Sequence, residues 1–153
     1  MKPRTRARSI ALQVLYETDL AAHAPGDVLK TRLEETTLPI ELAEFARGII
    51  FGVLPIREHL DRVIAKYAPE WPLDQIAAID RNILRMACWE FAVSGETPVK
   101  VAINEAVELA KQFGSDSAPR FINGVLGALA DHEHELQEIL KNKTAEIAAK
   151  TEL

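Results

Sequence analysis

Cysteine is scarce in this chain, glycines are few, and no apolar run approaches a membrane-spanning length. One cysteine in 153 residues, Cys88, excludes an intramolecular disulfide and fits a reducing compartment. Next to Trp89 on an apolar stretch, its thiol reads as a core residue. Seven glycines and eight prolines are too few for a linker-rich chain, and the prolines fall mostly where helices would begin or bend. Nothing reaches the ~18 apolar residues of a membrane span, and the N-terminus lacks the apolar centre of a secretory signal. A cytoplasmic protein with no membrane partner is expected. No period-two alternation of any length and no internal repeat is found, which excludes sheet architectures and solenoids.

The motifs of catalysis are missing as well. There is no glycine-rich dinucleotide loop, no phosphate loop, no Cys-x-x-Cys and no His-Glu-x-x-His. His132 and His134 are two apart, so on a helix they point about 200° from one another and cannot share one ion. Asp80 and Glu90 lie ten residues apart on one predicted helix, roughly 15 Å, too far for paired acid/base carboxylates. A non-enzyme with no cofactor and no metal is the expectation.

What is present is ordinary globular composition with an uneven charge. Apolar residues make up 48% and charged residues 27%, values typical of a single folded domain. The net charge is −5, yet residues 1–16 carry Lys2, Arg4, Arg6 and Arg8 with no acid. The remaining 14 basic side chains face 23 acidic ones, a net of −9. Such a chain is no general nucleic-acid binder. Its basic arm can still hold one short strand, because distant acids are screened over ~8 Å at physiological salt. A solvated tail is the alternative.

Periodicity predicts helices throughout. The first runs from Pro3 to about Ala22, buried on Ala7, Ile10, Ala11, Val14 and Leu15, with Arg4 and Arg8 one turn apart on its flank. A short helix spans about 27–35. The next starts near Pro39 and continues to about Tyr67 as one long helix kinked at Pro55, with two helices meeting at Pro55 as the alternative. Gly48 and Gly52, four apart, suit close helix packing. Ala68-Pro-Glu-Trp-Pro72 divides the chain into halves of about 1–68 and 69–153. Beyond it, Ile76, Ile79, Ile83, Leu84, Met86, Ala87 and Phe91 are apolar on most sides of a central helix. A polar last helix, about 132–149, is expected to fray.

Between these lies a helical hairpin over residues 97–127. Thr97 reads as an N-cap with Pro98 in the first helical position, and Gly114 as a left-handed terminator. Val99, Ala102, Ile103, Ala106, Ala110 and Phe113 form its apolar stripe. Lys100, Asn104, Glu105, Glu108, Lys111 and Gln112 are left for water or a partner. After Ser115-Asp116, Ser117 caps a second helix that carries Pro119 in its first turn.

The same hairpin resembles the C-terminal signature of the NusB family of bacterial antitermination factors. The resemblance rests on Lys100, Asn104-Glu105-Ala106, Phe113-Gly114 and Arg120-Phe-Ile-Asn-Gly-Val-Leu126. Arg6-Thr-Arg8 with Ala11, Gln13 and Leu15-Tyr16 resembles the family's N-terminal motif, and Asp80-Arg-Asn-Ile-Leu-Arg-Met-Ala87 with Glu90 its central one. The family implies an all-α bundle of about seven helices in two packed halves. It also implies binding of single-stranded boxA RNA together with the ribosomal protein NusE, alongside elongating RNA polymerase and other Nus factors. On that resemblance Arg4, Arg6 and Arg8 are assigned to phosphates, although here they alternate with Thr5 and Ala7 where the family can have adjacent arginines. Ser117 and Arg120 mark a helix start open to phosphate. Phe121 is either a stacking platform or core, and Tyr16 either an RNA contact or core. Asp80, Leu84 and the exposed neighbours of Leu84 are carried over to the NusE face. Two other readings remain: the accessory RNA-binding domain of a ribosomal RNA cytosine methyltransferase, whose catalytic domain would have to follow Leu153, and a homodimeric protein scaffold.

Overall fold

The computed structural model describes residues 2–70 and 75–152. Trp71 and Pro72 of the expected boundary lie outside them. Every regular element among the described residues is helical: α1 Pro3–Ala21, α2 Pro25–Glu35, α3 Ile40–Val53, α4 Arg57–Tyr67, α5 Ala78–Trp89, α6 Val99–Phe113, α7 Ala118–Ala130 and α8 Glu133–Glu152. A tight turn of helix, Leu54–Ile56, joins α3 to α4 without a break, so the two make one long helix kinked at Pro55, giving seven α-helices among the described residues. Proline has no N–H for the α-helical ladder, and the chain answers with one tighter turn and a non-helical Ile56 (φ −115°, ψ 17°).

Helix α5 is the hub. Every residue from Asn82 to Cys88 is buried, and the helix packs against α1, α3, α4, α6 and α7. It runs on into a wider, π-helical turn, Glu90–Ser94, closed by Gly95 in the left-handed conformation (φ +69°). Helix α1 lies across α3 and α5 and buries Ala7, Ile10, Ala11, Leu12, Val14 and Leu15. Two apolar residues of α8, Leu136 and Leu140, dock on the rest. That helix continues to Glu152, past the end expected near Ala149. No helix of the described residues is long and apolar enough to cross a membrane.

Several local expectations are corrected. Helix α6 starts one residue late, at Val99, because Thr97 is buried and its hydroxyl donates to Glu90 Oε1 at 3.1 Å instead of capping. Gly114 is extended (φ −92°, ψ −178°), not left-handed. Space explains it: a Cβ there would meet the Ala118 Cβ at 2.6 Å and the Ala110 carbonyl at 2.9 Å. Gly52 does mark a close approach, since its Cβ would lie 2.3 Å from the Trp89 ring. Gly48 faces open space and does not.

Candidate nucleic-acid interface

Pro3 opens α1 at its first position, so the basic residues ride on a formed helix rather than a loose tail. The helix period puts 4 and 8 on one flank and 6 about 200° from 4, so depth along the helix separates them: Arg4 and Arg6 in the first turn stay exposed, while Arg8, one turn further in, is buried. Lys2, Arg4 and Arg6 are exposed and have no carboxylate partner among the described residues. Arg8 is 3% exposed. Its Nη2 and Nε donate to Glu90 at 2.8 and 3.0 Å, and Nη1 stands 3.7 Å from Glu105 Oε2. Thr97 donates to the same Glu90, and the Thr5 hydroxyl donates to Glu105 at 2.8 Å. Arg8 is therefore the buried half of an ion pair that ties α1 to α6 and the turn after α5. Its donors are spent inside the protein, which corrects its assignment to phosphate.

The ring of Phe45, on α3, lies under both Arg4 (4.7 Å from Cζ to ring centre) and Arg8 (5.1 Å). Beside the arm, an open groove runs between the start of α1 and α6. Lys2, Thr5, Asn104, Glu108, Lys111 and Gln112 line it. Lys111 pairs with Glu108 at 3.1 Å, so the groove offers amide and carboxylate edges with Lys2 at its rim. The polar stripe of α6 was legible in its periodicity. That it faces Lys2 and Thr5, about a hundred residues away, was not.

The remaining candidates sit around the turn between α6 and α7. Ser117 occupies the N-cap position of α7, but its hydroxyl lies 3.3 Å from the Ser115 hydroxyl and caps no backbone N–H. Ser117 and Arg120 are exposed, while Phe121 is half-buried and packs against the core. Tyr16 is 37% exposed and shares a shallow cleft with Gln13, Arg32, Ile79 and Phe113. The structure thus brings Tyr16 to the edge of the turn, and leaves the arm as a separate patch on the same helix.

Asp80, in the first turn of α5, is 8% exposed, and its Oδ1 has no hydrogen-bond partner. It abuts Gly114, whose missing Cβ would lie 3.2 Å from Oδ1. Burial pushes its carboxyl pKa up from the ordinary 3.8. Leu84 is 0% exposed, and so are its expected exposed neighbours buried, which corrects the placement of a partner face along mid-α5. Arg85 is likewise held inside, with both ends of its fork 2.7 Å from Asp61. That ion pair and the Asp19 contacts hold its pKa up against the desolvation that would lower it. Among the described residues no group of three or more metal-ligating side chains occurs.

The chain matches the model of the NusB family over residues 5–131. It is 48% identical over 134 residues to the transcription antitermination protein NusB of Roseiflexus castenholzii, covering 86% of this chain and 94% of that one. It is also 48% identical over 139 residues to that of Dehalococcoides mccartyi, covering 88% and 97%. Among solved structures it is similar to a crystal structure of antitermination factors NusB and NusE in complex with dsRNA (28% identity, TM-score 0.78, 86% and 98% covered). It is also similar to T. maritima NusB (30% identity, TM-score 0.77, 85% and 92% covered).

Proposed function

The chain belongs to the NusB family, and from that premise we infer that it is a transcription antitermination protein. The relatives above are antitermination proteins matched over nearly their whole length, which favours this reading over the accessory domain of a methyltransferase. In this reading the chain works as one domain in the cytoplasm. It takes single-stranded boxA RNA, joins NusE, and travels with RNA polymerase through ribosomal RNA transcription.

The observation that carries the RNA part is the set of unpaired cations at the start of α1. Most other arginines of the described residues stand within 4 Å of a carboxylate, whereas Arg4 and Arg6 do not. Unpaired guanidinium groups on a formed helix lose little freedom on meeting phosphate, and they release counterions from the strand. We assign phosphates to Lys2, Arg4, Arg6 and Arg120. Base edges fall to the α6 groove at Asn104 and Gln112, and stacking to Tyr16 and Phe121. Arg8 and Leu84 are left out because they are buried. Asp80 lies in the first turn of α5, where its neighbours Ala78, Ile79 and Arg81 keep part of their surface, and we assign NusE to the surface around it.

Fluorescence anisotropy of labelled boxA RNA against a scrambled control, with and without NusE, tests the function. Tighter binding of boxA, strengthened by NusE, is the expected outcome. Equal binding of both RNAs and no effect of NusE refutes it and redirects the search to a homodimer.

A further inference from the structure

We propose that Phe45 is a positioning residue for RNA: its ring holds the Arg4 guanidinium in place while leaving that cation's charge and donors unspent. The proposal rests on the reading of the N-terminal arm as a phosphate site, and its test separates the two.

The geometry is that of one ring shared by two cations. Arg4 and Arg8 are four residues apart on α1, so they project from the same flank, and α3 passes beneath them with Phe45. Both guanidinium carbons lie near the ring, at 4.7 and 5.1 Å from its centre. Arg8 is pinned from the other side by Glu90, which Thr97 also holds. The ring itself is packed against the core. The exposed arginine therefore rests on a shelf whose other components are fixed.

Two features suit this shelf to an anion-binding arginine. A carboxylate would also immobilise Arg4, as Glu17 does Arg32 and Glu44 does Arg47, but it would cancel the charge that RNA needs. An aromatic ring holds the cation and leaves its charge intact. Further, the Arg4 guanidinium carbon lies over the ring at 4.7 Å from its centre and no acceptor among the described residues takes its N–H groups, so the donors that fork onto a phosphate stay available. Without the ring, Arg4 is an exposed side chain with its full set of rotamers, and that freedom is lost again at every binding event.

The experiment is a double-mutant cycle on the full chain, read as anisotropy of labelled single-stranded boxA RNA over a salt series. Phe45→Leu keeps apolar volume against the core and removes the ring. Affinity is expected to fall about two- to five-fold, the fold-change of one exposed cation–π contact. The salt slope should stay unchanged, because no charge is lost. Phe45→Tyr, which keeps the ring, should bind like the original. Phe45→Met, a second ring-free side chain of similar volume, should show the same loss as Phe45→Leu and tests the idea if Phe45→Leu fails to fold. In an Arg4→Ala background, Phe45→Leu should have no further effect. If Phe45→Leu weakens binding equally in that background, the ring is merely structural and the proposal is overturned. It is also overturned if Arg4→Ala weakens binding while Phe45→Leu and Phe45→Met do not, and in that case the arm reading survives. If Arg4→Ala leaves affinity and salt slope unchanged, the arm reading and the proposal fall together.

Discussion

Replacing Glu90 with Gln keeps the shape of the side chain and removes the charge that Arg8 is buried against. Both side chains are 4% exposed, and the pair is joined by donors at 2.8 and 3.0 Å, so neither charge can turn to water when its partner is lost. Removing one member of such a pair costs about 3–5 kcal/mol, because an uncompensated charge stays inside. Here Glu105, 3.7 Å from Arg8 Nη1, remains as a second and less buried carboxylate. That places the expected loss near the lower end, about 3 kcal/mol, or a Tm lower by about 6–12 °C for a domain of this size. Replacing both residues, Arg8→Met with Glu90→Leu, removes the stranded charge. It leaves Thr97 without its acceptor, a cost of about 1 kcal/mol. The double variant should thus recover most of the stability lost by the single one. Urea denaturation with thermal melts measures both. A loss under about 1 kcal/mol for Glu90→Gln, or a double variant as unstable as the single, refutes a structural role for the pair. The double variant also decides the fate of Arg8 as an RNA residue: its RNA affinity should keep the salt slope of the original chain. A slope flatter by about 0.7, the value of one phosphate contact on a single strand, would return Arg8 to the binding site.

Three further outcomes follow from the packing and the titration of buried groups. Gly52→Ala forces a methyl to within 2.3 Å of the Trp89 ring and should destabilise by about 1–3 kcal/mol in urea titrations, whereas Gly48→Ala meets nothing within 4 Å and should stabilise α3 by up to ~1 kcal/mol. For Asp80, burial raises the folded-state pKa above the unfolded value, so the carboxyl detracts from stability as pH rises from about 4 through the folded-state pKa. Asp80→Asn should therefore stabilise at pH 7, with the gain vanishing under acid conditions; a gain that grows toward low pH contradicts the assigned cause. The Cys88 thiol, fully buried and pushed up to about 12, should resist a thiol reagent in the native protein and react at the rate of global unfolding.

How much was legible in the sequence depended on the range of the physics involved. Helix identity is local: three- and four-residue apolar spacing, a proline at the head of α1 and another at position 55 were enough to place seven helices and one kink. The exposed polar stripe of α6 also followed from position on a helix face. Motif resemblance reached the family, because polar and small residues at set positions carry more information than amphipathicity.

What only the tertiary structure decided was the fate of charges and of backbone at contacts between distant segments. Arg4, Arg6 and Arg8 look alike in sequence, yet Arg8 meets Glu90, 82 residues away, and is taken out of water. Thr97 has the composition of a cap and instead serves that same carboxylate. Gly114 looks like a left-handed terminator but is small because Ala118 packs on it. Leu84 sits on a helix that has almost no outer face, since five others surround it. A charged or small residue is placed by its partner across the fold, and only the packing of the helices brings that partner into reach.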